Sequence, residues 1–130
     1  FVELEGMCGY IVVDMPSTLD PVARAVLATS DFIILVTGDD PYALQTTVTT
    51  QQVLPHLKER IAIVRCVTTP GPHPTGESLE RVIRQPLAAD LPFEPLQASL
   101  MRKGTPLVLG LPESSVVKEL RKMLTSLIPG

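Results

Sequence analysis

The sequence predicts an α/β fold: a three-layer, mostly parallel sheet with helices on both faces. Three observations predict it. Apolar runs at residues 10–15, 32–37 and 61–67 lack the polar alternation of a half-wet strand, as expected for strands covered on both sides. Segments with helical spacing separate these runs, and strand–helix alternation is what right-handed crossovers between parallel strands produce. A length of 130 residues suits one domain, 1–130.

Taken in order, the run Tyr10-Ile-Val-Val-Asp-Met brings Asp14 to the carboxyl end of a first strand. Asp20 followed by Pro21 reads as an N-cap with proline in the first turn, and Val22, Ala25 and Val26 mark one apolar face up to Ser30. Residues 32–37 give a second strand. Asp40 and Pro41 then repeat the capping device, so the acidic pair Asp39-Asp40 reads as helix capping rather than a metal site. Leu44, Val48, Gln51, Leu54 and Leu57 recur at helical spacing, although Thr46, Thr47, Thr49 and Thr50 are weak helix formers and Pro55 should kink or end the helix.

Residues 61–67 form the third strand. Pro70, Gly71, Pro72 and Pro74 make 68–76 an exposed loop, and a helix restarts over 77–85. A short strand at 88–92, a helical turn at 96–103 stopped by Gly104, and a short extended run at 106–109 follow. The last helix, 113–127, sets Val116, Val117, Leu120, Met123, Leu124 and Leu127 on one stripe that packs it on the sheet.

Composition excludes several classes. Hydrophobic residues make up 45% and charged residues 19%, which is too apolar for disorder. No apolar run reaches the ~18 residues of a membrane span, and no basic segment leads into an apolar stretch at the start, so a cytoplasmic location is expected. A net charge of −3 gives no broad footprint for nucleic acid. Lys118, Arg121 and Lys122 offer only weak contact with anionic lipid or DNA unless an oligomer multiplies it. Cys8 and Cys66, each beside strand-like residues, read as reduced core thiols, and His56 and His73, without partners at ligand spacing, read as surface residues. A first residue of Phe1 rather than Met suggests a piece of something longer.

In open parallel sheets ligands bind at the carboxyl ends of the strands. There Asp14 has two roles open to it: standing behind a water-coordinated Mg²⁺ on a nucleotide's phosphates, or capping the loop Met15-Pro16-Ser17-Thr18.

The ordered set Tyr10-Ile-Val-Val-Asp-Met-Pro, Ala28-Thr-Ser-Asp-Phe-Ile-Ile-Leu-Val-Thr, Asp40-Pro-Tyr-Ala-Leu-Gln-Thr-Thr, Pro86-Leu-Ala-Ala-Asp-Leu-Pro-Phe-Glu-Pro and Ala98-Ser-Leu-Met-Arg-Lys-Gly-Thr-Pro-Leu-Val resembles the second half of the ParA/MinD superfamily of P-loop ATPases. The absence of glycine after Pro16 and the stretch Leu19-Asp-Pro-Val-Ala-Arg look closest to the CpaE/TadZ pilus-assembly branch. The resemblance implies a partial P-loop NTPase fold lacking its Walker A strand. It implies Asp14 as the Walker B acid that holds magnesium through water, with Pro16 and Ser17 opening the switch II loop. It places Arg65 on the base-reading strand, where the family carries Asn or a similar polar residue, with Pro92, Phe93 and Glu94 across the adenine pocket.

ATP and Mg belong, on this resemblance, to the intact parent and not to this portion, because no Gly-Lys-Thr loop is present. Hydrolysis then requires the parent to supply that loop. The resemblance further implies a homodimer, protein partners of a positioning system for pili, septum or chromosome and plasmid partition, and recruitment to the inner membrane face or cell pole. A scaffold of the same fold that does not hydrolyse ATP is the competing reading. A phosphoacceptor receiver is a third, and it lacks the acidic pair and the Lys-Pro that such domains carry.

Without the Walker A strand a gap is expected between the first two strands of this chain. Either residues 10–15 pair directly with residues 32–36, or the open edge associates with another chain.

Overall fold

A computed structural model describes residues 2–128. Phe1, Pro129 and Gly130, on which the readings of the two chain ends fall, lie outside the described residues. The chain divides into two compact units, Phe1–Asp31 and Phe32–Gly130.

The first unit holds a short helix α1 (Val2–Glu5) and α2 (Pro21–Thr29). Helix α2 starts where its cap chemistry directs: the Asp20 carboxylate accepts the Ala23 amide at 2.8 Å, and Pro21 needs no hydrogen-bond partner in the first turn. Residues 10–15 form no strand, contrary to the expectation, and Val12 is 94% exposed. A lone apolar run gains strand geometry only when neighbouring strands take up its amides and carbonyls, and none does so here. The expected pairing of residues 10–15 with 32–36 therefore has no strand to make it. Cys8 lies in the turn after α1, its amide on the Leu4 carbonyl, and is exposed rather than packed in a core.

The second unit is built on three parallel strands, β1 (Ile33–Thr37), β2 (Ile61–Cys66) and β3 (Leu87–Leu91), in the order β1-β2-β3. Around them lie α3 (Pro41–Val53), a 3-10 turn (Pro55–Arg60), α4 (Gly76–Ile83), α5 (Gln97–Arg102), α6 (Leu107–Gly110) and α7 (Ser115–Leu127). The layering follows from strand alternation. Val64, Ala89 and Leu91 share one face and pack against Val116 and Met123 of α7, with Leu120 and Leu127 beside them. The stripe is thus used as predicted, except that Leu124 turns outward at 42% exposure. Thr37 bonds Thr47 of α3, so α3 covers the opposite face of the sheet, and α4 lies beside α3.

In helix α3 the hydroxyls of Thr46, Thr47 and Thr50 bond back to carbonyls one turn earlier, so they find partners within the helix. Thr47 is buried as well, its hydroxyl oxygen 2.8 Å from that of Thr37, a core role that weak helix propensity conceals. Pro55 ends α3 at Val53. Helix α4 stops at Ile83, where Arg84 takes the left-handed conformation (φ 59°) and closes on the Glu80 carbonyl. The run 106–109, expected to be extended, is instead helical over Leu107–Gly110 with Pro106 before it. Four apolar residues do not distinguish helix from strand.

No helix among the described residues is long and apolar enough to cross a membrane.

Candidate functional site

Parallel register brings three polar side chains into one row near the carboxyl ends of the strands, where Thr37 stands beside Arg65 and Arg65 beside Asp90. Alternation along the strands turns this row away from the α7 face. Arg65 is only 6% exposed. Its Nε and Nη2 donate to the two Asp90 oxygens at 2.7 and 2.6 Å, and Nη1 donates to the Pro74 carbonyl at 2.5 Å. The Asp39 carboxylate lies 4.0 Å from Nη1.

The hydrogen bonds that Arg65 donates to Asp90 hold its pKa above the ordinary value against the opposing cost of burial, and the charges of Asp90 and Asp39 add to this. With the folded value raised, this stabilisation is complete below the ordinary arginine range and is lost only as pH rises through the raised value. Gly76 leaves the Asp90 carboxylate uncrowded, since a Cβ there would stand 3.0 Å from one of its oxygens.

The network continues outward. His73 Nδ1 lies 2.6 Å from Asp39 Oδ2, and its Nε2 lies 2.8 Å from the Thr69 carbonyl oxygen. His73 is thus a partly buried tie holding the proline-rich loop to the strand ends, not the free surface residue expected, whereas His56 is exposed. Asp40 caps α3 through the Ala43 amide as predicted, while Asp39 belongs to this cluster. Sequence reading missed Asp90 and the Asp39–His73 contact. The available signal was two opposite charges, Arg65 and Asp90, each inside an otherwise apolar strand.

The remaining candidates are placed as follows. Pro92 and Phe93 are exposed immediately after β3, at the same end as Arg65 because Cys66 pairs with Leu91. Glu94 turns back to accept the Leu96 amide at 3.1 Å. Asp14, Pro16 and Ser17 are exposed in the first unit, in a stretch without regular structure, so Asp14 does not stand at the carboxyl end of a strand as expected. Lys118, Arg121 and Lys122 lie exposed along α7, with Lys118 3.5 Å from Glu113. No group of three His, Cys, Asp or Glu among the described residues could hold a metal ion.

Burial pushes the Cys66 thiol up from its ordinary value. Because the folded thiol holds its proton longer than the unfolded one, stability from this site is complete below the ordinary thiol range and falls as pH rises through the raised value. At mildly alkaline pH exposed Cys8 is expected to react with a maleimide ~10-fold or more faster than Cys66, and equal rates would contradict this burial.

No protein-family model matches the chain, and no curated protein matches it. Solved structures do. MinD in the MinC:MinD cell division protein complex of Aquifex aeolicus aligns with 99% of this chain and 55% of its own, at 15% identity and a TM-score of 0.79. The septum site-determining protein MinD of Pyrococcus horikoshii, complexed with Mg-ADP, aligns with 98% of this chain and 53% of its own, at 25% identity and 0.75. A ParA family ATPase from Chlorobium tepidum gives 79% and 45%, at 22% and 0.64.

The chain has the fold of the ParA/MinD superfamily. It spans about half the length of the MinD structures it matches. The buried guanidinium on β2 is already engaged by a carboxylate and a carbonyl, so it has no fork to offer a base.

Proposed function

We propose that this chain is the nucleotide-switch half of a ParA/MinD-like ATPase that positions cellular machinery, with residues 1–130 forming the C-terminal portion of its ATPase domain. The observation that carries this reading is agreement in fold, over 98% of the chain, with a MinD complexed with Mg-ADP. In the intact protein Asp14 faces a hydrated magnesium ion, and Pro16 and Ser17 begin the loop that answers to the nucleotide. Pro92, Phe93 and Glu94 border the base. A homodimer and protein partners belong to the same reading, the latter supported by a MinD solved with MinC. Leu19-Asp-Pro-Val-Ala-Arg favours the CpaE/TadZ branch, and hence pilus assembly over septum placement or partition. The exposed Lys118, Arg121 and Lys122 suit weak contact with anionic lipid or DNA, at the inner membrane face or cell pole of a cytoplasmic protein.

The second reading, a scaffold that does not hydrolyse ATP, is favoured by the engagement of Arg65 with Asp90. The reading frame that contains these residues decides between them. A Gly-Lys-Gly-Gly-x-Gly-Lys-like loop upstream of Phe1 supports the enzyme, and Asp14→Asn in that full product is then expected to lower Mg-dependent ATP turnover ~100-fold. If the loop and the turnover are both absent, the scaffold reading stands. The 130-residue chain alone is expected to bind MgATP only weakly, and micromolar affinity by isothermal titration would overturn that expectation.

A further inference from the structure

His73 sits between two acceptors. Its Nδ1 lies 2.6 Å from the Asp39 carboxylate and its Nε2 2.8 Å from the Thr69 carbonyl. A neutral imidazole carries one N–H and can donate to only one of them, whereas the imidazolium donates to both. The charged groups around it are Asp39 from the turn after β1, Arg65 from β2 and, across Arg65, Asp90 from β3. With a neutral ring the four side chains sum to one negative charge, and a proton on His73 brings them to zero.

We propose that His73 is a proton-operated latch, fastening the loop that joins β2 to α4 over the carboxyl ends of the strands when charged and releasing its Thr69 side when neutral. The direction follows from acceptor strength. A neutral ring keeps its single proton on Nδ1, toward the carboxylate, because a charged acceptor makes the stronger bond. Its Nε2 lone pair then faces the Thr69 carbonyl oxygen at a separation suited only to a hydrogen bond, and the two repel. The other anchors, Arg65 Nη1 to the Pro74 carbonyl and His73 Nδ1 to Asp39, hold throughout, so the segment pivots at His73 and the moving part is Thr69 to Pro72. The released segment carries Gly71 at φ 112°, a conformation open to glycine, flanked by Pro70 and Pro72. Ligands of open parallel sheets bind beside strand ends of this kind, so the latch would tie access to acidity. This inference does not depend on the nucleotide reading.

The test is NMR on the 130-residue chain between pH ~5.5 and ~8. Backbone order parameters of Thr69 and Gly71 are expected to fall from ~0.85 toward ~0.6 as pH rises, while those of β2 stay unchanged. The fall should follow the titration of the His73 ring nitrogens seen by ¹⁵N shifts, with exposed His56 as the internal comparison. His73→Gln should leave the loop mobile at both pH values. Order parameters that do not move with pH, that follow His56 instead, or that keep their pH dependence in His73→Gln would overturn the latch. Should His73→Gln fail to fold, the wild-type comparison of the two histidines still decides.

Discussion

Asp90→Ala is expected to lower stability by about 2–3 kcal/mol, read as an earlier urea midpoint, because it leaves the Arg65 guanidinium buried without its bidentate partner. Loss of one member of a fully buried pair costs about 3–5 kcal/mol, and the Asp90 side chain, at 40% exposure, calls for a discount because water screens it. The reverse substitution is gentler: Arg65→Met removes the buried charge itself and leaves a carboxylate that solvent reaches. Replacing both, Arg65→Met with Asp90→Leu, should return stability to within about 1 kcal/mol of the wild type, since matched apolar residues serve as well as a buried pair. A double-mutant cycle with no coupling would show that the two charges act independently. The pair would then be a surface contact and the engagement of Arg65 described above would be wrong.

The second large effect separates the centre of the sheet from its edge. Ile63 on β2 has no exposed surface, and Ile63→Ala should cost about 2–5 kcal/mol through lost burial and the cavity left behind. Val36 on β1 is 61% exposed and Ile34 nearly as open, so Val36→Ala should cost under about 1 kcal/mol in an isolated chain. Strand β1 pairs with β2 alone among the described residues, which leaves its other edge with unmatched amides and carbonyls. If the edge associates with another chain, Val36→Ala will instead show a cost that grows with protein concentration. Sedimentation of wild type and Val36→Lys at two concentrations checks this, with association lost in the lysine variant as the expected result.

Much of this architecture was legible because it is written locally. Asp20 and Asp40 act one turn away from themselves, and each stands before a proline that suits only a helix start. The apolar runs of β1 and β2 describe burial directly, and the α7 stripe describes its contact face. Apart from the run 106–109, where four apolar residues leave helix and strand alike, the failures are non-local. Residues 10–15 carry as good a strand pattern as 61–67, but strand formation depends on partners that a periodicity does not supply. Thr47 counts against its helix by propensity, which is silent about a hydroxyl bonded across to Thr37. The prolines around His73 suggest a solvated ring, yet its partner Asp39 arrives from the end of another strand. In the candidate site only Arg65, Pro92, Phe93 and Glu94 were anticipated at the right edge of the sheet. What Arg65 does there depends on register, which sets it beside Asp90.

The all-parallel pairing also sets how quickly the second unit can assemble. Ile33 meets Ile61, and Ile63 meets Leu87, so no two neighbouring strands are joined by a hairpin that could zip on its own. Every strand contact must wait for an intervening helix to collapse and close a long loop, which places this small sheet among slow, high-contact-order folders despite its helical content. During that interval the apolar strands are uncovered, and a ribosome-bound or refolding chain is most vulnerable to aggregation before α3 and α7 have closed over the two faces.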